Sequence, residues 1–464
     1  MTPVVAAVRL QLGAVHYGRR SRQSVGPSLA VKASQGWPIT PPPRLWPQPR
    51  FRLTLRRRFL VQPMLKVAPE LDPDSRLQSR LGTDDTASTL RSYRPADRLH
   101  FESLPLAAVK RRVAIIGTGC WGKDLVQTFG ELGALRAVCD TDPARLTAMP
   151  NGVVKHYGRV EDCFADSDVS AVVIATPAVS HVELVRAALK AGKDVLVEKP
   201  LALTLRDGQG LVRTAAGSGL ILMVGNVLRY HPAICRLKGM IDAGELGRVE
   251  YICSNRLSVA RPRAEENILW SFAPHEVSVI LGLLGEMPLA ASCQGGDYLS
   301  RGVSDVTVSQ FVFAGGVRAQ IFVSRLRPFQ EQRLVVVGSD EMAVFDEAAP
   351  DRLVLYPRGD WKNVSTSTAE ATGEPVLIDS MEPMKTECLA FLESLVTRQP
   401  PVTDGDEELR MLEVLDACER SLSSDGARTE VQLSARSRRL QRIARLGAQY
   451  AEEPASAGEA TAPL

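Results

Sequence analysis

The stretch from Arg111 to Asp142, RRVAIIGTGCWGKDLVQTFGELGALRAVCDTD, constrains the fold more than any other part of the chain. The apolar run Val113 to Ile116 predicts a buried strand, the amphipathic segment after it a helix closing near Gly133, and Leu135 to Cys139 a second strand that ends at Asp140. Between strand and helix stand Gly117, Gly119 and Gly122 in the order G-x-G-x-x-G, enclosing Cys120 and Trp121. The first glycine permits a tight turn, the second lets backbone amides approach a pyrophosphate, and the third lets helix and strand pack closely, with the helix N-terminus facing the phosphate charge. Asp140 follows Gly117 by 23 residues, about where an acid accepts the adenosine ribose hydroxyls and repels a 2′-phosphate. A glycine pattern alone is weak evidence. In this strand, turn, helix, strand and acid context it predicts a dinucleotide site containing Gly117, Gly119, Cys120, Trp121, Gly122 and Asp140, with NAD favoured over NADP. Arg145 lies close enough in sequence to soften that preference.

The alternation continues. Ala171 to Ala175 reads as a buried strand; Val182, Val185 and Leu189 mark one face of a helix stopping at Gly192; Val195 to Val197 is the next strand, and Ile221 to Val224 follows another helix. Repeated units of this kind predict a doubly wound parallel sheet of the Rossmann type, whose ligands sit beyond the carboxyl ends of the strands. Thr176-Pro177 and Glu198-Lys199-Pro200 both fall at such ends and are expected to line the cofactor cleft. After about Glu245 the texture changes to alternating, β-branched segments such as VTVSQFVF and VRAQIFVSRL, which predict an α+β domain with a largely antiparallel open sheet. Helical patterns interrupt it at about 276–284 and return near 380–398 and 406–421. The expected organisation is an extension over 1–109, an NAD-binding domain over 110–235, a substrate and oligomerisation domain over 236–424 and a tail over 425–464.

The extension carries twelve Lys and Arg before the first acid, Glu70, and is rich in proline. Such composition fits a disordered segment, a mitochondrial transit peptide, a basic arm or residues upstream of the true start, and the last of these is the reading favoured. The rest of the chain is acidic, and no nucleic-acid partner is expected. The eight cysteines are scattered without C-x-x-C or zinc-type Cys/His spacing, so no metal site is expected and the thiols should stay reduced in a cytoplasmic compartment, with a mitochondrial one as the lesser reading. The longest apolar runs, SAVVIATPAV and GLILMVGNVL, fall well short of the roughly 20 residues that cross a bilayer, and no membrane partner is expected.

The glycine fingerprint, then ATPAVSH, VEKPLAL and GNVLRYHP, followed by a β-rich second half, resembles the glucose-fructose oxidoreductase and inositol dehydrogenase family (Gfo/Idh/MocA) over about residues 110–422. The resemblance implies a two-domain NAD(P)-dependent oxidoreductase acting on sugars or polyols, assembled as a dimer or tetramer through its open sheet. It implies that Lys199 reaches the reacting alcohol, that Glu198 and Pro200 shape the nicotinamide side, and that Thr176, Pro177 and His181 line the cofactor cleft. In the family an aspartate usually precedes a histidine by four residues on one helix face. Here NILWSFAPHEVSVIL supplies His275, but Ser271 holds the earlier position and Glu276 is adjacent to the histidine. His275 follows Pro274, a favourable first helical residue, so it is expected in a first turn whose dipole favours the neutral imidazole that a proton acceptor requires. Arg229, Tyr230 and His231, just after the sixth strand, are candidates either for the substrate pocket or for packing, and Arg256 either for pairing with a substrate anion or for a solvated strand face. The form ENILWSFAPHE is similar to that of the branch acting on nucleotide-linked amino sugars at C3. Two further classes stay open: an NAD-dependent glycosidase that oxidises its sugar transiently, and a cofactor-binding regulator without turnover.

Overall fold

The computed structural model describes residues 112–149, 154–259, 267–349, 352–358, 373–439 and 441–442. The extension expected over 1–109 lies outside the described residues. The first half alternates strands and helices: β1 (Val113–Ile116), α1 (Cys120–Glu131), β2 (Leu135–Cys139), α2 (Pro143–Thr147), β3 (Lys155–Tyr157), α3 (Val160–Ala165), β4 (Ala171–Ile174), α4 (His181–Lys190), β5 (Asp194–Glu198), α5 (Leu205–Ser218) and β6 (Leu222–Gly225). The strands pair in parallel in the order β3-β2-β1-β4-β5-β6, with the direction of winding reversing between β1 and β4. All four residues of β1 and of β4 are buried, because helices cover both faces of the sheet. Ala114, Ile116, Val172 and Val195 pack with Val185, Leu189 and Leu211 on one side; Val113, Ile115, Val173 and Leu196 pack with Leu125 and Phe129 on the other.

The second half comprises α6 (Pro232–Asp242), β7 (Val249–Val259), α7 (Ile268–Leu284), β8 (Ala290–Gly296), β9 (Val306–Val312), β10 (Arg318–Ser324), β11 (Leu326–Gly338), β12 (Glu341–Asp346), β13 (Leu353–Pro357), β14 (Glu374–Pro375), α8 (Pro383–Thr397), α9 (Gly405–Leu422) and β15 (Thr429–Glu430). Its nine strands form one mixed sheet in the order β14-β13-β12-β11-β7-β10-β9-β8-β15, antiparallel throughout except for the β10–β7 pair. Burial alternates along β9 and β10, where Thr307, Ser309, Phe311, Ala319, Ile321 and Val323 turn inward toward α7 and α9, as a sheet packed on one face requires. No helix among the described residues is long and apolar enough to cross a membrane.

The last two helices depart from the expected grouping with the second sheet. Met384, Cys388 and Phe391 of α8 join the core of the first sheet, where Phe391 meets Phe129 edge-on with ring centroids 6.4 Å apart. Helix α9 starts against β6, with the Val224 N–H donating to the Thr403 carbonyl at 2.9 Å, and then runs on so that Met411, Leu412 and Leu415 enter the core of the second sheet. The chain therefore ties its two halves together from the far end, and α9 carries side chains past the carboxyl ends of β5 and β6.

Candidate active site

Each fingerprint glycine meets a distinct constraint. Gly117 has φ +90°, and a Cβ there would lie 2.8 Å from the Ala175 carbonyl oxygen. Gly119 takes the N-cap position of α1 with no side-chain cap, so the first amides of that helix face the turn. A Cβ on Gly122 would sit 2.0 Å from the Gly117 carbonyl oxygen, so the third glycine serves the packing of helix on turn. The result is a backbone cradle at a helix N-terminus, at the point where the sheet reverses direction, and these residues fit a dinucleotide pyrophosphate. Cys120 is exposed in the first turn of α1.

Asp140 is buried at the end of β2 and held by its own surroundings. One carboxylate oxygen accepts from the Thr118 N–H at 2.8 Å and the Thr118 hydroxyl at 3.0 Å; the other accepts from the Asp142 N–H at 2.9 Å. Burial pushes its pKa up, but the Asp142 and Thr118 donors together with the Arg145 guanidinium outweigh that and hold it below the ordinary value. Asp140 is therefore a fixed anion, and the half-exposed Arg145 lies 3.6 Å from it.

At the ends of β4 and β5 the two motifs are joined by a histidine. His181 is 1% exposed, with Nδ1 2.8 Å from the Pro200 carbonyl oxygen and Nε2 2.9 Å from the Thr176 carbonyl oxygen. It ties the Thr176-Pro177 loop to the Glu198-Lys199-Pro200 loop. Thr176 shares a 2.7 Å hydrogen bond with Ser180, and Pro177 precedes the single turn Ala178–Ser180. Glu198 accepts a hydrogen bond from the Trp121 indole N–H, so the first turn of α1 and the end of β5 meet. Burial drives the Glu198 carboxyl upward, against the opposing pull of Trp121 and Lys199. Lys199 itself points to the second half, and its ammonium donates to the Ser271 carbonyl at 2.9 Å.

The helix that meets Lys199 starts earlier than the proline suggested. Asn267 caps α7, its side chain accepting from the Trp270 N–H at 3.2 Å. Pro274 is thus interior, where it removes the donor to the Trp270 carbonyl, and His275 is two turns inside the helix. The first-turn expectation is overturned because the sequence upstream of Pro274, ILWSFA, is apolar enough to bury as helix behind an asparagine cap. The imidazole is nevertheless held neutral, for a different reason. Burial first, then the charges of Lys199 and Arg256, lower its pKa well below the ordinary histidine value. Its Nδ1 is buried with no hydrogen-bond partner among the described residues. Ser271 and His275, four residues apart, share a helix face. Glu276 turns away from it and takes the Ser254 hydroxyl and the Arg256 guanidinium, the latter at 2.7 Å. Arg256 is therefore partly buried, with its Nε committed to Glu276.

The three residues after β6 all have partners within the protein. Arg229 is buried and donates to the Ser278 carbonyl at 3.0 Å, the Tyr230 hydroxyl pairs with Thr403 at 3.0 Å, and His231 caps α6 by accepting from the Ala233 N–H at 3.1 Å. Arg229 thus ties to α7 and Tyr230 to the start of α9, while His231 caps α6 and turns its Nε2 to Glu347, 3.2 Å away. Glu408 of α9 is a buried acid close to this site that sequence reasoning missed. It contacts Leu201 and Asn226, 207 and 182 residues away, and no local pattern marks such a pairing.

A parallel sheet wound 3-2-1-4-5-6, a glycine cradle at its reversal point and a lysine with a neutral histidine beyond the next strand end define a dinucleotide-dependent oxidoreductase. The description "oxidoreductase family, NAD-binding Rossmann fold" matches residues 111–226, and the GFO/IDH/MocA C-terminal domain matches 234–344. An inositol 2-dehydrogenase of Rhodococcus erythropolis is 31% identical over 49% of this chain and 69% of its own length. The UDP-N-acetylglucosamine 3-dehydrogenase of Acidithiobacillus ferrooxidans is 24% identical over 66% of this chain and 95% of its own length, and its solved structure superposes with a TM-score of 0.60 over 68% of this chain and 98% of that one. A levoglucosan dehydrogenase solved with NADH shares the fold at a TM-score of 0.61 and 18% identity, covering 69% of this chain and 99% of that one. The chain belongs to the Gfo/Idh/MocA oxidoreductase family. It is a dehydrogenase acting on CH–OH groups.

Proposed function

We propose that this enzyme uses NAD in preference to NADP to oxidise a secondary alcohol of a sugar, and that its substrate is a nucleotide-linked amino sugar oxidised at C3. The observation that carries the chemical part is the placement of Lys199 at the end of β5, hydrogen-bonded to the α7 backbone and close enough to depress His275. Bound NAD would supply the hydride acceptor, held by the turn of Gly117, Gly119 and Gly122. As hydride leaves carbon, the hydroxyl proton must also leave. The neutral His275 is suited to accept it, while the Lys199 ammonium stabilises the developing alkoxide oxygen. Thr176, Pro177, Glu198 and Pro200 bound the nicotinamide side, and Trp121 closes it from α1.

The preference for NAD is supported by the fixed anion at Asp140, which repels a 2′-phosphate. The choice of substrate is supported by the similarity, over almost its whole length, to a UDP-N-acetylglucosamine 3-dehydrogenase. The same reading makes the enzyme a cytoplasmic homo-oligomer of two or four chains joined through the uncovered face of the second sheet. Its deciding experiment is to supply NAD with UDP-N-acetylglucosamine, its uronate, free N-acetylglucosamine, myo-inositol and glucose in turn, following NADH formation and sugar release together. NADH formation confined to the nucleotide sugars is expected. Activity on free polyols alone would reject the substrate, and sugar release without net NADH would point to transient oxidation.

A further inference from the structure

The two partners of the buried His181 ring are both carbonyl oxygens: Pro200 lies 2.8 Å from Nδ1 and Thr176 lies 2.9 Å from Nε2. A carbonyl oxygen only accepts. A neutral imidazole has one N–H and one lone pair, so in either tautomer one ring nitrogen would turn its lone pair toward an oxygen at hydrogen-bond distance, which is repulsive. The imidazolium, with an N–H on each nitrogen, satisfies both contacts. Burial and the dipole at the start of α4 both favour the neutral ring, and the two charge-assisted bonds work against them.

The two carbonyls belong to different parts of the cleft. Thr176 packs on the glycine turn, where a Cβ on Gly117 would lie 2.8 Å from Thr176 Cγ2, and its hydroxyl shares a 2.7 Å hydrogen bond with Ser180. Pro200 directly follows Lys199, and the next residue, Leu201, donates its N–H to Glu408 at 3.2 Å. One ring therefore links the turn that fits a pyrophosphate to the strand end that carries Lys199. The titratable groups on the elements packed about this junction are Glu198 and Lys199 at the end of β5, Glu408 of α9, Glu183 and Arg186 on α4 itself, and Arg206 and Asp207 at the start of α5, the last held by Thr204 at 2.7 Å.

We propose that His181 is an imidazolium donating to both loops and, in that form, a positioning residue that holds the glycine turn and the Lys199 loop together around the cofactor. The proposal rests on the reading of these strand ends as walls of the NAD cleft. Its sign with pH follows from linkage: a ring whose charged form the fold favours makes both ties at low pH, and one tie is lost as pH rises through its folded midpoint.

Exchange of the imidazole C2 hydrogen for deuterium tests this in the unmodified full chain, because the rate rises with pH through the midpoint of each ring. Trypsin releases residues 160–186 as a peptide in which His181 is the only histidine, so mass spectrometry reads that ring alone. The midpoint should lie at least about one pH unit above the roughly 6.5 of an ordinary histidine. A smaller rise, no rise or a fall overturns the proposal. Calorimetric titration of NAD reads the positioning: affinity should weaken by about tenfold as pH passes that midpoint, the size of losing one charge-assisted hydrogen bond. The step should be absent from His181→Gln, which has no proton to lose in this range, while any change from Glu198, which burial pushes to about 7, should remain. The same step in His181→Gln, or none in wild type, overturns the positioning role. Should the variant not fold, the two wild-type measurements decide. Failure of the wild-type chain to bind NAD at any pH would instead reject the reading of the cleft, whatever the midpoint.

Discussion

The ammonium of Lys199, at the end of β5, donates to the main-chain carbonyl of Ser271 in α7, 2.9 Å away and 72 residues further along the chain. A side chain from the cofactor half thus ends on the helix that carries His275, so the two groups proposed to handle the alcohol arrive from different halves of the molecule. Lys199→Met should keep NAD affinity within a few fold and lower turnover by at least about a hundredfold, the usual size for losing an acid-base or oxyanion-stabilising group. Calorimetry and single-turnover kinetics separate the two quantities.

His275 is held neutral by burial and by the Lys199 and Arg256 charges, so activity should persist below pH 6.5 without the acid limb of an ordinary histidine. Ser271→Asp places a carboxylate one turn away on the same face, which favours the imidazolium. The acid limb of kcat/KM should then move up by about one unit. A profile identical to wild type would show that His275 does not set it.

Asp140→Ala should narrow the ratio of NAD to NADP affinity by at least about tenfold, because the repulsive anion is gone while Arg145, 3.6 Å from it, remains to meet a 2′-phosphate. Titrating both nucleotides into wild type and variant decides it. Equal affinities for the two in wild type would contradict the proposed preference.

Gly122→Ala puts a methyl 2.0 Å from the Gly117 carbonyl oxygen, and backbone must shift to admit it. A cost of about 1–3 kcal/mol in stability is expected, together with loss of NAD binding. Thermal melting with and without NAD reads both; a variant that still gains stability from NAD would show that the turn is not the cradle.

Stability should fall between about pH 4.5 and 7. Burial raises the Glu408 carboxyl to about 7 in the folded chain, above the roughly 4.3 of an unfolded glutamate, so the folded state binds more protons across that window. Its contribution is complete below the unfolded value and is lost as pH rises through the folded one. Asp166 acts in the opposite sense at lower pH: despite burial, the Asp168 N–H, Lys155 and Tyr157 hold it at about 2, so its contribution is lost only as pH falls through that value. Melting temperature in the absence of NAD should therefore be higher near pH 5 than at pH 8, and Glu408→Gln should reduce the difference.

The glycine turn, the strand ends at Thr176 and Glu198, and the open second sheet were legible because each is written in consecutive residues. Strand burial follows from short apolar runs, turn geometry from glycine, and the parallel sheet from alternation. Pro274 misled because a proline after six largely apolar residues reads as a helix start, whereas Asn267 had already capped the helix. For Arg229 and Tyr230 the sequence left pocket and packing both open, because their partners Ser278 and Thr403 are 49 and 173 residues away and meet them only when α7 and α9 pack against this turn.

By itself the sequence determined the class of fold, the dinucleotide cradle and the strand end that carries Lys199, since all three depend on spacing within a few tens of residues. Only the tertiary structure decided why His275 is neutral, what His181 holds, where Arg256 points and that Glu408 meets Leu201 and Asn226. Burial and charge pairing arise from neighbours up to about two hundred residues away, and a proton affinity is set by what surrounds a group in space.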